Sequence, residues 1–186
     1  MPMKLEFGNS LPASFGRRHP PPALGPFLLV LVCAIALMPV LFEGCSRQPS
    51  TGLRGKYYRS VNWEGEPAEV RVDPTVDFDW SMTVPFPAPF SVDWTGNILI
   101  RQPGDYQFGL ISDDGSLLEI DGRLIVDATT VLLQKKSGQI TLSPGLHPIH
   151  VRYFNTILGG SVRLFWTPPG GPEQIVPTAA LRPANS

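Results

Sequence analysis

Apolar and polar side chains alternate with a period of two along the chain from Gly52 onward, and glycine and proline interrupt the runs at short intervals. That period suits half-buried β-strands and is incompatible with an amphipathic helix. It is clearest either side of Ile111-Ser112-Asp113-Asp114-Gly115-Ser116, between Tyr106-Gln107-Phe108-Gly109-Leu110 and Leu117-Leu118-Glu119-Ile120-Asp121. An Asp-Gly step between two alternating runs predicts two strands joined by a tight turn. The adjacent carboxylates Asp113 and Asp114 repel each other, so either water around an exposed loop or a cation held between them must offset the repulsion.

The same reading extends along the rest of the chain. Val76, Phe78 and Trp80 share one strand face and Asp77 and Asp79 the other. Carboxylates at i and i+2 can form a glycosidase pair, but they are more simply the solvated face of a half-buried strand. Val84-Pro85-Phe86-Pro87-Ala88-Pro89 lacks too many ladder donors for a central strand and predicts an extended connector. Phe90, Val92 and Trp94 point inward, Asp121-Gly122 marks a second hairpin returning through Leu124-Ile125-Val126, and residues 128–138 have no period and end in a surface loop, Lys135-Lys136-Ser137-Gly138. Ile140 and Leu142 precede a break at Ser143-Pro144-Gly145. Ile149, Val151 and Tyr153, then Val162, Leu164 and Trp166, form the last inward stripes. Many short strands at close spacing predict an all-β chain, a single antiparallel β-sandwich or barrel over residues 52–183.

Ahead of it, residues 1–22 are proline-rich and polar and predict a disordered tail. Phe27 to Phe42 carries no charge, and with Ala23 to Pro26 it approaches the ~20 residues of a spanning helix. Residues 23–45 are therefore expected to form one hydrophobic helix that serves as a transmembrane anchor, a cleaved signal or a lipoprotein signal. Gly44-Cys45 fits a lipoprotein cleavage box with Cys45 as the lipid attachment point, whereas Phe42 and Glu43 depart from it. Lys4, Arg17 and Arg18 on one side balance Arg47, Arg54 and Lys56 on the other, so charge does not orient the segment. The expectation is attachment to a membrane through residues 23–45, a linker at 46–51, and the domain outside the cytoplasm, in the cell envelope or periplasm.

Composition narrows the chemistry. The net charge is −1 without a basic stripe, which excludes nucleic acid as a natural partner. Both cysteines, Cys33 and Cys45, precede the alternating region, so it has neither an internal disulfide nor a thiolate metal site. His147 and His150 are three apart on one strand and face opposite sides. No Gly-x-Ser-x-Gly, phosphate-binding glycine loop or His-Glu-x-x-His occurs, and nothing argues for an enzyme.

The order of Gly52-Leu53-Arg54-Gly55-Lys56-Tyr57-Tyr58, Val72-Asp73-Pro74, Phe90-Ser91-Val92-Asp93-Trp94-Thr95-Gly96, Ser112-Asp113-Asp114-Gly115, Asp121-Gly122, Ser137-Gly138-Gln139-Ile140, Gly145-Leu146-His147-Pro148-Ile149 and Val151-Arg152-Tyr153-Phe154 resembles the protective-antigen (PA-14) domain. The resemblance runs from about Gly52 to Leu181. It implies a β-barrel of the sandwich type and, in its lectin-like branch, a Ca²⁺ site at the barrel tip. There the resemblance places the carboxylates of Asp113 and Asp114 across a cis peptide, the side chain of Asn155, and the main-chain carbonyls of Ile157 and Gly159. Asp113, Asp114 and Asn155 would also meet the carbohydrate. Six to eight oxygens suit Ca²⁺, and this set supplies about five or six. Two departures stand out: Ala128-Thr129-Thr130 follows Asp127 where the family has asparagine and an aromatic, and the long insertions of fungal adhesins are absent. The expected function is an exported, membrane-anchored, non-catalytic carbohydrate-binding or adhesion domain with a calcium-dependent tip and a glycan or polysaccharide partner. The alternative is a structural or protein-interaction β-barrel of the envelope with a protein partner.

Overall fold

The computed structural model describes residues 50–130 and 132–184; the tail and the expected helix over 23–45 lie outside the described residues. Among the described residues, no helix is long and apolar enough to cross a membrane. The strands are β1 (Leu53–Tyr58), β2 (Glu69–Asp73), β3 (Asp77–Asp79), β4 (Phe90–Ile100), β5 (Gly104–Asp113), β6 (Gly115–Ile120), β7 (Arg123–Ala128), β8 (Gln134–Leu142), β9 (Gly145–Asn155), β10 (Ser161–Thr167), β11 (Gln174–Ile175) and β12 (Leu181–Pro183), with a 3₁₀ turn at Thr178–Ala180. They form two antiparallel sheets. One runs β2-β1-β4-β9-β6-β7, with β12 also on β4. The other runs β11-β10-β5-β8, with β3 also on β10.

The inward stripes close on one core. Tyr57, Phe90, Trp94, Phe108 and Tyr153 are fully buried, each contributing roughly 1.5–3 kcal/mol or more of apolar burial. Phe78 stacks on both Trp80 and Trp94, with ring centroids 4.9 and 5.5 Å apart. One carboxylate enters this interior. Asp73 accepts the Tyr57 hydroxyl at 2.6 Å and the Trp94 indole N–H at 2.7 Å, and it pairs with Arg71 at 2.8 Å. Burial, and then the Asp73 charge, pushes the Tyr57 hydroxyl well above its ordinary range.

Two local expectations are corrected. β5 and β6 do not form a hairpin: β5 pairs with β10 and β8, and β6 with β7 and β9, so the chain crosses between sheets at Asp114. Alternation reports which face of a strand is buried and carries no information on which strand lies beside it. At the crossing, Ser112 and Ser116 are both fully buried and their hydroxyl oxygens lie 2.6 Å apart. The second correction concerns Lys135-Lys136-Ser137-Gly138, which belongs to β8 and not to a loop. β8 ends its sheet, where exposed lysines are ordinary edge chemistry. Its inner side meets the backbone of β7, since a side chain at Gly138 would overlap the Ile125 carbonyl. Asp121-Gly122 does form the expected hairpin between β6 and β7, with φ of 53° and 71°.

This topology gives the sandwich two ends. The tip holds the end of β5, the start of β6, the end of β9 and the start of β10. The base holds the β6–β7 turn and the crossing from β8 to β9.

Candidate functional site

The tip is assembled from three short stretches. Asp113 ends β5 and Asp114 follows it through a cis, non-proline peptide bond. Asn155 ends β9, and residues 156–160 return the chain to β10. Asp114 is 6% exposed, and one of its oxygens, Oδ2, accepts both the Thr156 N–H (2.7 Å) and the Thr156 hydroxyl (2.6 Å). The Tyr153 hydroxyl donates to the main-chain carbonyl of Asp113. Burial first, and the charges of Asp114 and Asp113 next, push that hydroxyl's pKa up, so it stays a donor at any physiological pH.

Asn155 is 1% exposed and its amide donates to the Leu158 carbonyl at 2.7 Å. That bond sits beneath a left-handed Leu158, φ 57°, a conformation a leucine seldom adopts. Gly160 lets the loop close over the site. A side chain there would overlap the Tyr153 hydroxyl and the Asp113 carbonyl and would lie 3.0 Å from the Asn155 side-chain oxygen. Gly159 is seated against the Trp80 carbonyl in the same way.

Asp113, Asp114 and Asn155 therefore meet at one end of the fold. Ile157 and Gly159 lie in the loop that Thr156 ties to Asp114, with the Ile157 side chain in solvent. Among the described residues, no lysine, arginine or histidine pairs with either carboxylate, and no group of three His, Cys, Asp or Glu side chains is placed to hold a metal. The set is two carboxylates plus an amide oxygen, all hard donors, with a buried carboxylate lacking a counter-charge. In kind, it fits Ca²⁺. Thr156, Tyr153 and Gly160 escape a sequence reading. Tyr153 looks like one more core aromatic, and a threonine beside an asparagine carries no signal of its own.

The base carries a polar cluster of different character. His147 Nδ1 lies 2.8 Å from Asp121 Oδ2, and its Nε2 lies 2.8 Å from the Ser143 carbonyl. Both neighbours only accept, so the ring satisfies both when it carries two N–H groups. Burial opposes that charge, but the Ser143 carbonyl and Asp121 outweigh it, and the His147 pKa is raised. His150 pairs separately with Asp93 on the outer face of the larger sheet, beside the Arg152–Glu119 ion pair at 2.8 Å.

The PA14 domain matches residues 49–179. The anti-sigma-I factor RsgI3 of Acetivibrio thermocellus is 32% identical over 141 residues, covering 73% of this chain and 22% of the relative. A solved anti-sigma factor domain-containing protein from Clostridium clariflavum superposes with a TM-score of 0.68 at 34% identity, covering 73% of this chain and 48% of the other. The chain thus spans about a fifth of the curated relative and about half of the solved one. A PA14 sugar-binding domain from an RTX adhesin superposes with a TM-score of 0.61 at 19% identity, covering 73% of this chain and all of the other, a likeness that speaks for the fold alone. These findings overturn the expected carbohydrate-binding adhesion domain. Of these, the relatives similar in sequence as well as in fold are anti-sigma factors and not the adhesin.

Proposed function

The chain belongs to the PA14 domain family, and from that membership we propose that residues 52–183 are the non-catalytic recognition module of a regulator. The module acts by engaging a protein partner outside the cytoplasm, with residues 23–45 holding it to the membrane. One observation carries this reading. Identity is 32–34% with anti-sigma factors, whereas an adhesin at 19% shares the fold alone, so the regulators are alike in sequence as well as in backbone. The tip supports it, since its oxygens and its closed loop build a recognition end.

Asp113, Asp114 and Asn155 would hold Ca²⁺ here, with the carbonyls of Ile157 and Gly159 as further donors. When bound, the ion supplies a cross-link between the β5–β6 crossing and the β9–β10 loop. This chain's own residues prepare that arrangement. Thr156 occupies one oxygen of Asp114 and leaves the other free, and the Asn155 amide N–H is spent on Leu158, leaving its oxygen free.

The test is to exchange residues 52–183 for an unrelated β-domain in the native host, leaving residues 1–51 in place, and to compare transcripts and surface attachment. A regulator changes the transcript levels of a defined gene set and leaves attachment alone. Unchanged transcripts with lost attachment would sink the reading. Protease added to intact cells with a permeable wall should remove the domain, and Cys45→Ala should release it only if Cys45 carries the lipid.

A further inference from the structure

The five most exposed large apolar side chains among the described residues are Met82, Leu158, Leu132, Ile157 and Leu133, at 93, 82, 71, 70 and 67%. All five come from loops at the tip. Residues 80–89 follow β3, whose Asp79 lies opposite Ser161. Leu132 and Leu133 directly precede Gln134, which lies opposite Ser112. Residues 156–160 link Asn155 to Ser161. A single exposed leucine is ordinary, but concentration of the most exposed apolar groups at one end is the mark of an interaction surface.

The crown is also held in place. Leu158 stands out because the buried Asn155 amide bonds its carbonyl, Gly159 sits on the Trp80 carbonyl next to Met82, and Thr156 is tied to Asp114. Residues 80–89, 129–133 and 156–160 contain no charged residue, while Asp113 and Asp114 lie among them, Asp79 ends β3 and Asp127 is the penultimate residue of β7. The tip is thus aliphatic with an acidic centre, whose Asp113 and Asp114 pair with no cation among the described residues, while Arg59 lies at the margin over the Phe86 ring. Phosphate-bearing surfaces, whether anionic lipid or nucleic acid, need the opposite charge. A protein face combining aliphatic side chains with a lysine or arginine matches both features, with the ion pair desolvated at the middle and the apolar contacts excluding water around it.

We propose that the tip is a protein-docking surface whose partner presents an aliphatic face with a lysine or arginine near its centre. This deepens the reading of the domain as a protein-interaction module and rests on it. The partner's cation and Ca²⁺ compete for the same two carboxylates, so calcium weakens docking.

Two designed amphipathic peptides with identical leucine positions, one Leu/Lys and one Leu/Glu, are titrated against the full chain in neutral-lipid nanodiscs, with EDTA and then with calcium. The Leu/Lys peptide should bind at least tenfold tighter than the Leu/Glu peptide in EDTA, and calcium should reduce the difference. The double change Met82→Ser and Leu158→Ser, at two exposed sites, should weaken binding at least tenfold with the circular-dichroism spectrum unchanged, and Asp113→Asn should remove the preference between peptides. His147→Gln, at the other end, should change nothing. Equal affinity for the two peptides, indifference to the tip variants, tightening by calcium, self-association through Leu158, or capture by anionic vesicles instead would each overturn the proposal. A regulator whose exchange leaves transcripts unchanged, but whose tip still prefers the Leu/Lys peptide, fails as a regulator and not as a docking surface.

Discussion

The two ends of the sandwich dispose their polar groups in opposite ways. At the base, the Asp121 carboxylate and the Ser143 carbonyl meet the two nitrogens of His147, so a donor within the chain answers each acceptor. At the tip, the Asp114 carboxylate accepts the Thr156 hydroxyl and N–H, neither it nor the Asp113 carboxylate pairs with a cation among the described residues, and the adjoining loops expose aliphatic side chains. A closed cluster stabilises the fold by itself. An open one leaves an unmet charge and unburied apolar area, and both are satisfied only by something that binds.

The contrast can be broken most sharply at its glycines. Gly160→Ala forces a methyl group onto the Tyr153 hydroxyl and the Asp113 carbonyl, and should cost about 3 kcal/mol, the upper end of overpacking. Gly122→Ala at the base meets open space and should cost only about 1 kcal/mol, from its left-handed φ of 71°. Urea melts of the two variants compare them directly, and equal losses would mean that the tip is no tighter than the base. Next in size is the ion. If the tip takes Ca²⁺, a hundredfold excess over the dissociation constant stabilises the fold by about 2.7 kcal/mol. The melting temperature should then rise with calcium in the unaltered chain and in His147→Gln, but not in Asp114→Asn. A flat response in millimolar calcium counts against the ion.

Asn155→Ala comes third. It leaves the Leu158 carbonyl without its buried donor and should cost about 2 kcal/mol, with faster amide exchange confined to residues 156–160. Exchange that quickens at the base instead would show that the two ends are not independent. The smallest effect is at His147. Its folded-state pKa is raised above the ordinary 6.5, so its contribution is complete below pH 6.5 and fades as pH rises through the folded value. Stability should fall by at most about 1 kcal/mol across that window in the unaltered chain and not in His147→Gln. A contribution that instead grows as the pH rises would mean that the ring is neutral in the fold.

Most of the architecture was legible because strand burial is a local property. Val76, Phe90, Val92, Trp94, Val151, Tyr153, Val162 and Leu164 are buried as their alternation requires, and Asp77 and Asp79 are exposed on the opposite face. Pairing was not legible: the step at Asp113-Asp114-Gly115 has the composition of a hairpin and is a crossing between sheets. The strand in residues 134–138 was hidden because a glycine and two lysines at a sheet edge erase the period. For the site, the doubled aspartate and Asn155 stood out by residue type and by resemblance to a family, whereas their supports did not. Thr156 and Gly160 matter only through atoms that long-range folding brings to them.

By itself the sequence determined the all-β class, the inward stripes, the acidic pair and the uncharged apolar segment ahead of the domain, because residue type and spacing act over a few neighbouring positions. Only the tertiary structure decided that Asp114 and Thr156, 42 positions apart, share hydrogen bonds, and that Met82, Leu132 and Leu158 gather at the same end as the carboxylates. The reason is that each of those loops is short and unremarkable alone. Which end of the sandwich a loop occupies follows from strand pairing, and pairing is set by the packing of two whole sheets against one core.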